Sequence, residues 1–359
     1  MSDISERLEQ LQKTLEQQRG NRQLIVLHSF PDPDAIASAY AFELASAEYG
    51  IDSEIIYAGE ISHQQNIALV KLLGIEMTRY VEGFSIESFD SAVFLDTQGD
   101  NAEPVTSLVE EQLPISVVID HHEPNERLSA EFTDITPAGS VSTKIAHYIA
   151  NGLLELSRDN KPHQIAATAL MHGIITDTRN FMTADEADFR AAGFLSQFAD
   201  TDMLRRIQTQ ARSKQTMEII HTALGSRVSA EGYTVSGVGY IRPSDRDAIP
   251  QSADFLLTEA NMHTAIVYGI VRDDSGERLV GSLRTSKVVL DPDDFIKDVF
   301  GKDKEGNFYG GGKQGSGGFE IPIDFLAGQN GEEFETSKWQ LYDQQIKNKL
   351  FAKIGVQPS

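Results

Sequence analysis

The stretch Ile115-Ser116-Val117-Val118-Ile119-Asp120-His121-His122 decides how the fold of this chain is interpreted. Its first five residues are mostly apolar and β-branched, which is typical of a buried strand. An acidic side chain and two imidazoles follow where that strand ends. Because ligands of parallel α/β sheets collect beyond the carboxyl ends of the strands, this position predicts a metal or phosphate site.

Three other segments carry metal-ligating side chains at comparable places in the pattern. They are His28, Asp32 and Asp34 after the apolar run Leu24-Ile25-Val26-Leu27, Asp96 after Ala92-Val93-Phe94-Leu95, and Asp177 at the end of an apolar helical pattern. Since the carboxyl ends of neighbouring parallel strands lie at one edge of a sheet, we expect these side chains to share one site.

The composition limits the partners and the ligand types. A formal net charge of -23 argues against binding to long nucleic acid, which depends on a basic surface that releases counterions from phosphates. The chain has no cysteine, so histidine and carboxylate are the available metal ligands, and these favour Mn²⁺ or Mg²⁺. We find no signal peptide and no membrane-spanning run in the sequence, which predicts a cytoplasmic protein without a membrane partner.

The alternation of apolar strands with helices predicts an α/β fold with a mostly parallel sheet in the first part of the chain. The expected strands lie at 24–27, 55–57, 92–95 and 117–119, and a helix lies at 35–47. The length of 359 residues favours two domains. We expect an N-terminal helix at 1–20 that covers a sheet edge, a catalytic domain at 21–199, a helical connector at 200–228 and a smaller α/β domain at 229–359.

Within the second domain, strands are expected at 233–241, 265–271 and 279–283, followed by a helix at 291–300. The glycine-rich stretch from Gly310 to Gly318 is expected to be a loop. The pattern from Glu332 to Ile354 predicts a covering helix with Trp339 and Leu341 on its buried side.

The clustered carboxylates and imidazoles are the residue types that a two-metal hydrolytic site requires, because such a site holds two cations about 3.5–4 Å apart with a shared carboxylate. Asp96 is the natural bridging ligand. We expect Asp34, His121 and Asp177 to complete one metal site, and His28 and Asp32 to complete the other. The predicted cofactor is a pair of divalent cations, either Mn²⁺ or Mg²⁺.

Taken together, four segments resemble the motifs of the DHH phosphoesterase family, in its NrnA/RecJ-like branch. These segments are His28-Ser29-Phe30-Pro31-Asp32-Pro33-Asp34-Ala35-Ile36, Leu95-Asp96-Thr97, Asp120-His121-His122 and Asp177-Thr178. The resemblance implies a hydrolase of the kind that includes RecJ-like exonucleases, oligoribonucleases, cyclic-dinucleotide phosphodiesterases and type II pyrophosphatases. It further implies that His122 contacts the scissile phosphate and that Asp120 acts indirectly, by orienting an imidazole or supporting the metal site.

The second domain resembles the DHH-associated domain of the nuclease branch through Gly281-Ser282-Leu283-Arg284-Thr285-Ser286 and the stretch Gly310 to Gly318. The resemblance implies that Arg284, Gly311, Gly312 and Lys313 bind the substrate. An arginine offers a bidentate fork to phosphate, and glycines let backbone N–H groups approach an anion. The family loop reads Gly-Gly-Gly-His, whereas this chain has Lys313 in place of that histidine.

The resulting hypothesis is a metal-dependent phosphodiesterase that hydrolyses short oligonucleotides or linear dinucleotides to mononucleotides by a two-metal hydroxide mechanism. Asp96, Asp120 and His122 are its expected catalytic residues, and long duplex nucleic acid is not an expected partner. Two alternatives stay open, namely a pyrophosphatase or exopolyphosphatase and a non-catalytic nucleotide-binding regulator. Dimers occur in the family, so a homodimer is a further possibility.

Overall fold

The structure, a computed structural model, describes residues 2–61, 63–102, 105–125, 127–210, 212–273, 276–323 and 332–356. The chain divides into two compact units, Met1–Ala211 and Arg212–Ser359. Each unit contains a six-stranded sheet, so the α/β fold class is confirmed. Among the described helices, none combines the length and the apolar character needed to cross a membrane.

The first unit is built on a parallel sheet with strand order β3-β2-β1-β4-β5-β6. Its strands are β1 (Arg22–Val26), β2 (Asp52–Tyr57), β3 (Thr78–Arg79), β4 (Ser91–Leu95), β5 (Ile115–Asp120) and β6 (Phe132–Ile135). Its helices are α1 (Ser2–Gln17), α2 (Pro33–Glu48), α3 (Gln64–Leu73), α4 (Val105–Gln112), α5 (Val141–Ala150), α6 (Lys161–Asp177), α7 (Glu186–Leu195) and α8 (Thr201–Gln208).

The central strands of this sheet are buried on both faces, which explains their continuous apolar sequence. In β1 and just beyond it, Ile25 and Leu27 pack into a cluster with residues of α1, α2, α5 and α6. Leu24 and Val26 pack into a second cluster with residues of α4, β4 and β5. Successive side chains of a strand point to opposite faces, so the two cores lie on the two sides of the sheet.

Helix α1 lies against β6, the edge strand of this sheet, and also contacts β5 and α5. Its buried side chains Leu8, Leu11 and Leu15 follow helical spacing. On the same helix, Arg7 Nη1 donates a 2.7 Å hydrogen bond to Asp134 Oδ1 in β6. The helix therefore covers the edge with apolar packing and the ion pair between Arg7 and Asp134.

The second unit has strand order β11-β12-β10-β9-β8-β7, antiparallel except between β8 and β9. Its strands are β7 (Val228–Ala230), β8 (Tyr233–Ile241), β9 (Thr264–Asp273), β10 (Gly276–Thr285), β11 (Gly310–Lys313) and β12 (Ser316–Pro322). Its helices are α9 (Lys214–Ser226), α10 (Ala248–Leu256), α11 (Pro292–Phe300) and α12 (Glu332–Ile354), with a 3₁₀ turn at Pro243–Asp245.

The boundary between the units divides the predicted connector at 200–228. Helix α8 contacts α3 and α6 of the first unit, whereas α9 contacts α10 and β8 of the second. The helical pattern is the same on both sides of this boundary. Only the packing partners distinguish the two helices, and the sequence pattern carries no information about them.

The glycine-rich stretch is a β-hairpin, so its prediction as a loop was wrong. Gly310 to Lys313 pair with Ser316 to Phe319, and the turn contains Gly315 at φ 79°. Close packing explains the glycines, because a Cβ at Gly317 would lie 2.5 Å from Cδ1 of Ile296 in α11. The strand can approach α11 this closely only because glycine has no side chain. Glycine also has a low intrinsic preference for strands, which is why the sequence pattern did not indicate one.

The predicted burial of Leu341 in α12 was also wrong, since this side chain is 56% exposed. Trp339, Tyr342, Ile346 and Leu350 follow helical spacing and pack against the core of the second unit. Leu341 lies one residue before Tyr342 and therefore points away from that stripe.

A pair of glycine substitutions tests the packing of the second unit. Gly281→Ala should lower the free energy of unfolding by about 1–3 kcal/mol, because a Cβ there would collide with the ring of Phe319, which is itself buried against Phe300. Gly225→Ala in α9 has open space and should raise stability by up to about 1 kcal/mol. Urea unfolding followed by the fluorescence of Trp339 measures both, and equal midpoints for the two variants would contradict this account.

Candidate metal centre

Several of the predicted metal-ligating side chains lie at the carboxyl ends of three adjacent strands, β1, β4 and β5. His28 follows β1, Asp96 follows β4, and Asp120 ends β5 with His121 and His122 directly behind it. Asp32 and Asp34 enter from the start of α2, and Asp177 enters from the end of α6. The structure therefore brings together residues from four segments that are far apart in sequence.

Asp96 lies at the centre of this cluster and is 3% exposed. Its Oδ2 is 3.5 Å from Nε2 of His28, and its Oδ1 is 3.4 Å from Nε2 of His121. The backbone of Asp96 is left-handed, with φ 58°, a conformation that aspartate tolerates better than most residues. One carboxylate thus faces two imidazoles, the arrangement expected of a shared ligand.

The potential ligand atoms form three groups in this neighbourhood. One contains Asp96, Asp120, His121 and His122, and the other two match the predicted metal sites. The Asp32 group is His28, Asp32 and Asp96, and the Asp34 group is Asp34, His121 and Asp177. Within each group the ligand atoms lie within 4.8 Å of one another. These are the two sets that the sequence assigned to separate metals, with Asp96 between them, although metal binding by each residue stays a prediction.

Both central histidines are held by backbone carbonyls. Nδ1 of His28 lies 2.9 Å from the carbonyl oxygen of Ser29, and Nδ1 of His121 lies 3.1 Å from that of Ala138. A carbonyl oxygen only accepts, so each Nδ1 carries the hydrogen and Nε2 is left facing the carboxylates. Metal-binding histidines commonly use this arrangement, which fixes the tautomer and the ring orientation.

Two buried atoms in the centre lack a hydrogen-bond partner among the described residues. They are Asp96 Oδ1 and His121 Nε2. A buried polar atom without a hydrogen-bond partner costs about 1–3 kcal/mol of stability, so such atoms are uncommon in folded proteins. Once its proton is released, His121 Nε2 is an electron-pair donor like Asp96 Oδ1, so a cation between the surrounding residues would satisfy both atoms together. The donor set of carboxylate oxygen and imidazole nitrogen fits Mn²⁺ and, less closely, Mg²⁺.

Asp34 is fully buried at the amino end of α5, where Oδ2 accepts from the backbone N–H of Val141 and Oδ1 from that of Ser142, each at 2.7 Å. Asp32 accepts from the backbone N–H groups of Asp34 and Ala35 and caps α2. Backbone N–H groups at the start of a helix therefore orient both carboxylates, those of α5 for Asp34 and those of α2 for Asp32.

Burial and mutual repulsion make these carboxylates hard to ionise together. Burial raises the pKa of Asp34 to about 7, and the charge of Asp96 adds to that effect. Burial, followed by the charge of Asp34, raises the pKa of Asp177 to about 8. Burial alone would lower the pKa of His121, but Asp96, Asp34 and Asp177 outweigh it and raise the pKa to about 10. Protons thus occupy positions that a divalent cation would take over.

Asp120 supports His122. Its Oδ1 lies 2.9 Å from Nδ1 of His122, and its Oδ2 accepts from Nε2 of Gln98 at 2.7 Å. Burial alone would raise the pKa of Asp120, but its bonds with His122 and Gln98 hold that pKa well below its usual range. His122 is 48% exposed, and its Nε2 is the nitrogen available to a ligand. Gln98 was not among the residues predicted from the sequence, where its only signal was its position two residues after Asp96.

The predicted substrate-binding residues of the second unit lie on β10 and on the β11–β12 hairpin. Arg284 donates from Nε to Asp254 and from Nη1 to Ser282 Oγ, at 2.9 Å in each case. The backbone N–H of Gly312 donates to Asp293 Oδ1 at 3.1 Å, and Lys313 is exposed. Carboxylates of the same unit therefore already contact Arg284 and Gly312.

The raised pKa values predict how pH changes stability without metal. Asp34 and Asp177 bind protons more tightly in the folded than in the unfolded chain, so their contribution is present at low pH and is lost as pH rises through about 7 to 8. The melting temperature of the EDTA-treated protein should therefore fall from about pH 5 to about pH 8.5.

Two controls accompany this measurement. Mn²⁺ should reduce the fall, because the cation replaces the protons. Asp177→Asn should flatten it, because one of the titrating groups is removed. A melting temperature that rises over this range in the metal-free protein would contradict the electrostatic description.

Comparison with known proteins places the first unit in a family. A family model described as the DHH family, N-terminal domain, matches residues 22–174. A protein of Streptococcus pyogenes named "probable manganese-dependent inorganic pyrophosphatase" is 26% identical over 208 residues, which cover 55% of this chain and 64% of that protein. A crystal structure of an exopolyphosphatase-related protein from Bacteroides fragilis has the same fold, with a TM-score of 0.69 at 17% identity, covering 96% of this chain and 98% of that one.

A further relative extends the similarity along the sequence. An uncharacterised protein of Methanocaldococcus jannaschii is 33% identical over 350 residues, which cover 96% of this chain and 66% of that protein. The chain spans about two thirds of the length of these two curated relatives. The match at residues 22–174 includes five of the six residues of the Asp32 and Asp34 groups, and this part of the chain belongs to the DHH family, N-terminal domain.

Proposed function

We propose that this protein is a phosphodiesterase, dependent on Mn²⁺ or Mg²⁺, that hydrolyses short oligonucleotides or linear dinucleotides to mononucleotides. The observation that carries the proposal is the buried centre in which Asp96 faces the imidazoles of both ligand groups. Family membership supports hydrolysis of a phosphate compound, and the features of the second unit support a nucleotide as the substrate.

The charge of the centre requires cations if the substrate is a phosphate. When ionised, Asp32, Asp34, Asp96 and Asp177 would repel an anionic phosphate group, and His28 and His121 would not outnumber them. Two divalent cations bound by these residues would neutralise that charge and supply an activated water for attack on phosphorus. The chain itself contributes a fixed geometry, since helix termini and carbonyls hold the ligands before any substrate arrives.

His122 is suited to contact the substrate. Asp120 holds its Nδ1, the ring is half exposed, and its ring centre lies 4.3 Å from that of His121. A ligand bound at the centre would therefore meet Nε2 of His122. Asp120 would act through His122, because Asp120 is buried and its oxygens are hydrogen-bonded to Gln98 and His122.

The second unit supports recognition of a nucleotide. Arg284 can form a bidentate contact with a phosphate, and the backbone of the hairpin can approach an anion because Gly311 and Gly312 have no side chains. Asp254 contacts Arg284 and Asp293 contacts Gly312 in the structure, so a bound phosphate would displace these carboxylates. A short substrate needs only these local contacts, which is compatible with a net charge of -23.

A phosphoanhydride hydrolase is the second candidate. The similarity to the Streptococcus pyogenes protein, whose name specifies inorganic pyrophosphate, favours it. Pyrophosphate needs no base-binding surface, so this function would leave Arg284 and the hairpin without a role in the reaction. A nucleotide-binding regulator without turnover is a third alternative, and a hydrolysis assay separates it from both enzymes.

The first test of the proposed function uses Asp96→Asn with Asp100→Asn as the matched control. Asp96→Asn should lower the hydrolysis rate at least about a hundredfold, because both ligand groups lose the charge between them. Asp100 is exposed, and the same amide substitution there should leave the rate within about twofold. The assay compares a dinucleotide, a five-residue oligonucleotide, a cyclic dinucleotide and pyrophosphate with Mn²⁺. Cleavage of pyrophosphate alone would select the second candidate, and binding without cleavage would select the regulator.

The second test concerns the substrate. Arg284→Ala should raise KM for a dinucleotide about tenfold with little change in kcat, because a binding contact is lost before the chemical step. Arg227→Ala, which removes a different surface ion pair in the same unit, should leave KM unchanged. An unchanged KM for Arg284→Ala would remove Arg284 from the substrate site.

A further inference from the structure

Lys144 is a lysine buried in the first unit, on α5, with 7% of its side chain exposed. Its Nζ donates to the carbonyl oxygens of Asp120 at 2.7 Å and Asp134 at 3.0 Å, to Oγ1 of Thr136 at 2.9 Å, and to Oδ1 of Asp134 at 3.1 Å. The ammonium group therefore has acceptors from two strand ends, and its three hydrogens are all satisfied.

The first contact holds the turn that carries the two imidazoles. The carbonyl of Asp120 belongs to the last residue of β5, immediately before His121 and His122. The 2.7 Å bond from Lys144 therefore restrains the direction in which the chain leaves the strand.

The remaining contacts hold the connection from β6 to α5. Lys144 binds Asp134 in β6 and Thr136 at the start of the connection, and the connection then supplies the carbonyl of Ala138 to Nδ1 of His121. Directly after it, the first residues of α5 supply their N–H groups to Asp34. The orientation of two metal ligands thus depends on a segment that Lys144 ties to β5.

We propose that Lys144 is a positioning residue of the metal centre, which sets the orientation of His121, His122 and Asp34 by joining the end of β5 to the β6–α5 connection. It touches none of the reacting atoms. The proposal rests on the metal centre of the proposed function, but its main readout is metal affinity, so failure of the hydrolysis assay does not affect it.

The surroundings of Lys144 explain how a buried ammonium is tolerated. Asp134 pairs with it and also accepts from Tyr148 Oη at 2.6 Å and from Arg7 Nη1 at 2.7 Å. Removing two charges from water costs several kcal/mol per ion, and an apolar residue of similar size would avoid that cost. An apolar residue cannot donate hydrogen bonds to the backbone and side-chain oxygens of Asp120, Asp134 and Thr136. The network therefore favours a role in geometry over a role in stability.

The deciding measurement is the dissociation constant of Mn²⁺ for Lys144→Met, by calorimetric titration of the full chain. We expect it to increase about tenfold or more, the range seen when groups that orient metal ligands are removed. With the substrate that the wild type cleaves, kcat should fall while KM changes less than about twofold. A folded Lys144→Met protein that binds Mn²⁺ as tightly as the wild type would overturn the proposal.

Tyr148→Phe is the matched control, because it removes a bond to the same Asp134 carboxylate without touching Asp120 or Thr136. It should lower the melting temperature yet keep wild-type Mn²⁺ affinity. A similar loss of affinity in Tyr148→Phe would mean that general destabilisation is the cause, which also overturns the proposal.

Lys144→Met leaves the buried Asp134 without its lysine, so this variant can fail to fold. In that event the double variant Lys144→Met/Asp134→Asn removes both charges together. The proposal expects weakened Mn²⁺ binding in the folded double variant, and wild-type affinity there would contradict it.

Discussion

The order of strands in the first sheet is the constraint on which the site depends. Going outward from β1, the chain builds β2 and β3 on one side and then crosses to build β4, β5 and β6 on the other. The connections leaving β1 and β4 therefore diverge to opposite sides, and a crevice opens between the two strand ends. His28 follows the first of these strands and Asp96 the second, which places their side chains 3.5 Å apart.

The charge of the buried carboxylates is the second constraint, because their mutual repulsion destabilises the fold that brings them together. The sheet and helices bury carboxylates close together, and within the two ligand groups only His28 and His121 can become cationic, by protonation. The apo centre must therefore hold protons, whereas the loaded centre must release them. Folding, protonation and metal binding are consequently linked equilibria in this unit, in which a change in one shifts the other two.

Much of the first sheet was predictable, because runs such as Ala92 to Leu95 are uniformly apolar and are followed by polar residues. The proximity of the ligand side chains was predictable for the same reason, since each follows such a run or a helix. The hairpin at Gly310 to Lys313 was not, because its pairing depends on packing and not on strand preference. Gln98 and Lys144 were missed because their partner Asp120 lies 22 and 24 residues away, beyond any local pattern.

The left-handed backbone of Asp96 has a consequence for how this protein can diverge over evolutionary time. Only glycine, asparagine and aspartate adopt that conformation readily. Of these three, aspartate alone carries a charge, so a substitution that this backbone tolerates would remove the carboxylate that faces His28 and His121 while leaving the fold intact. A single nucleotide change can therefore give a protein that keeps this fold but lacks the charge of Asp96. Such a protein would be recognisable by asparagine or glycine at this position.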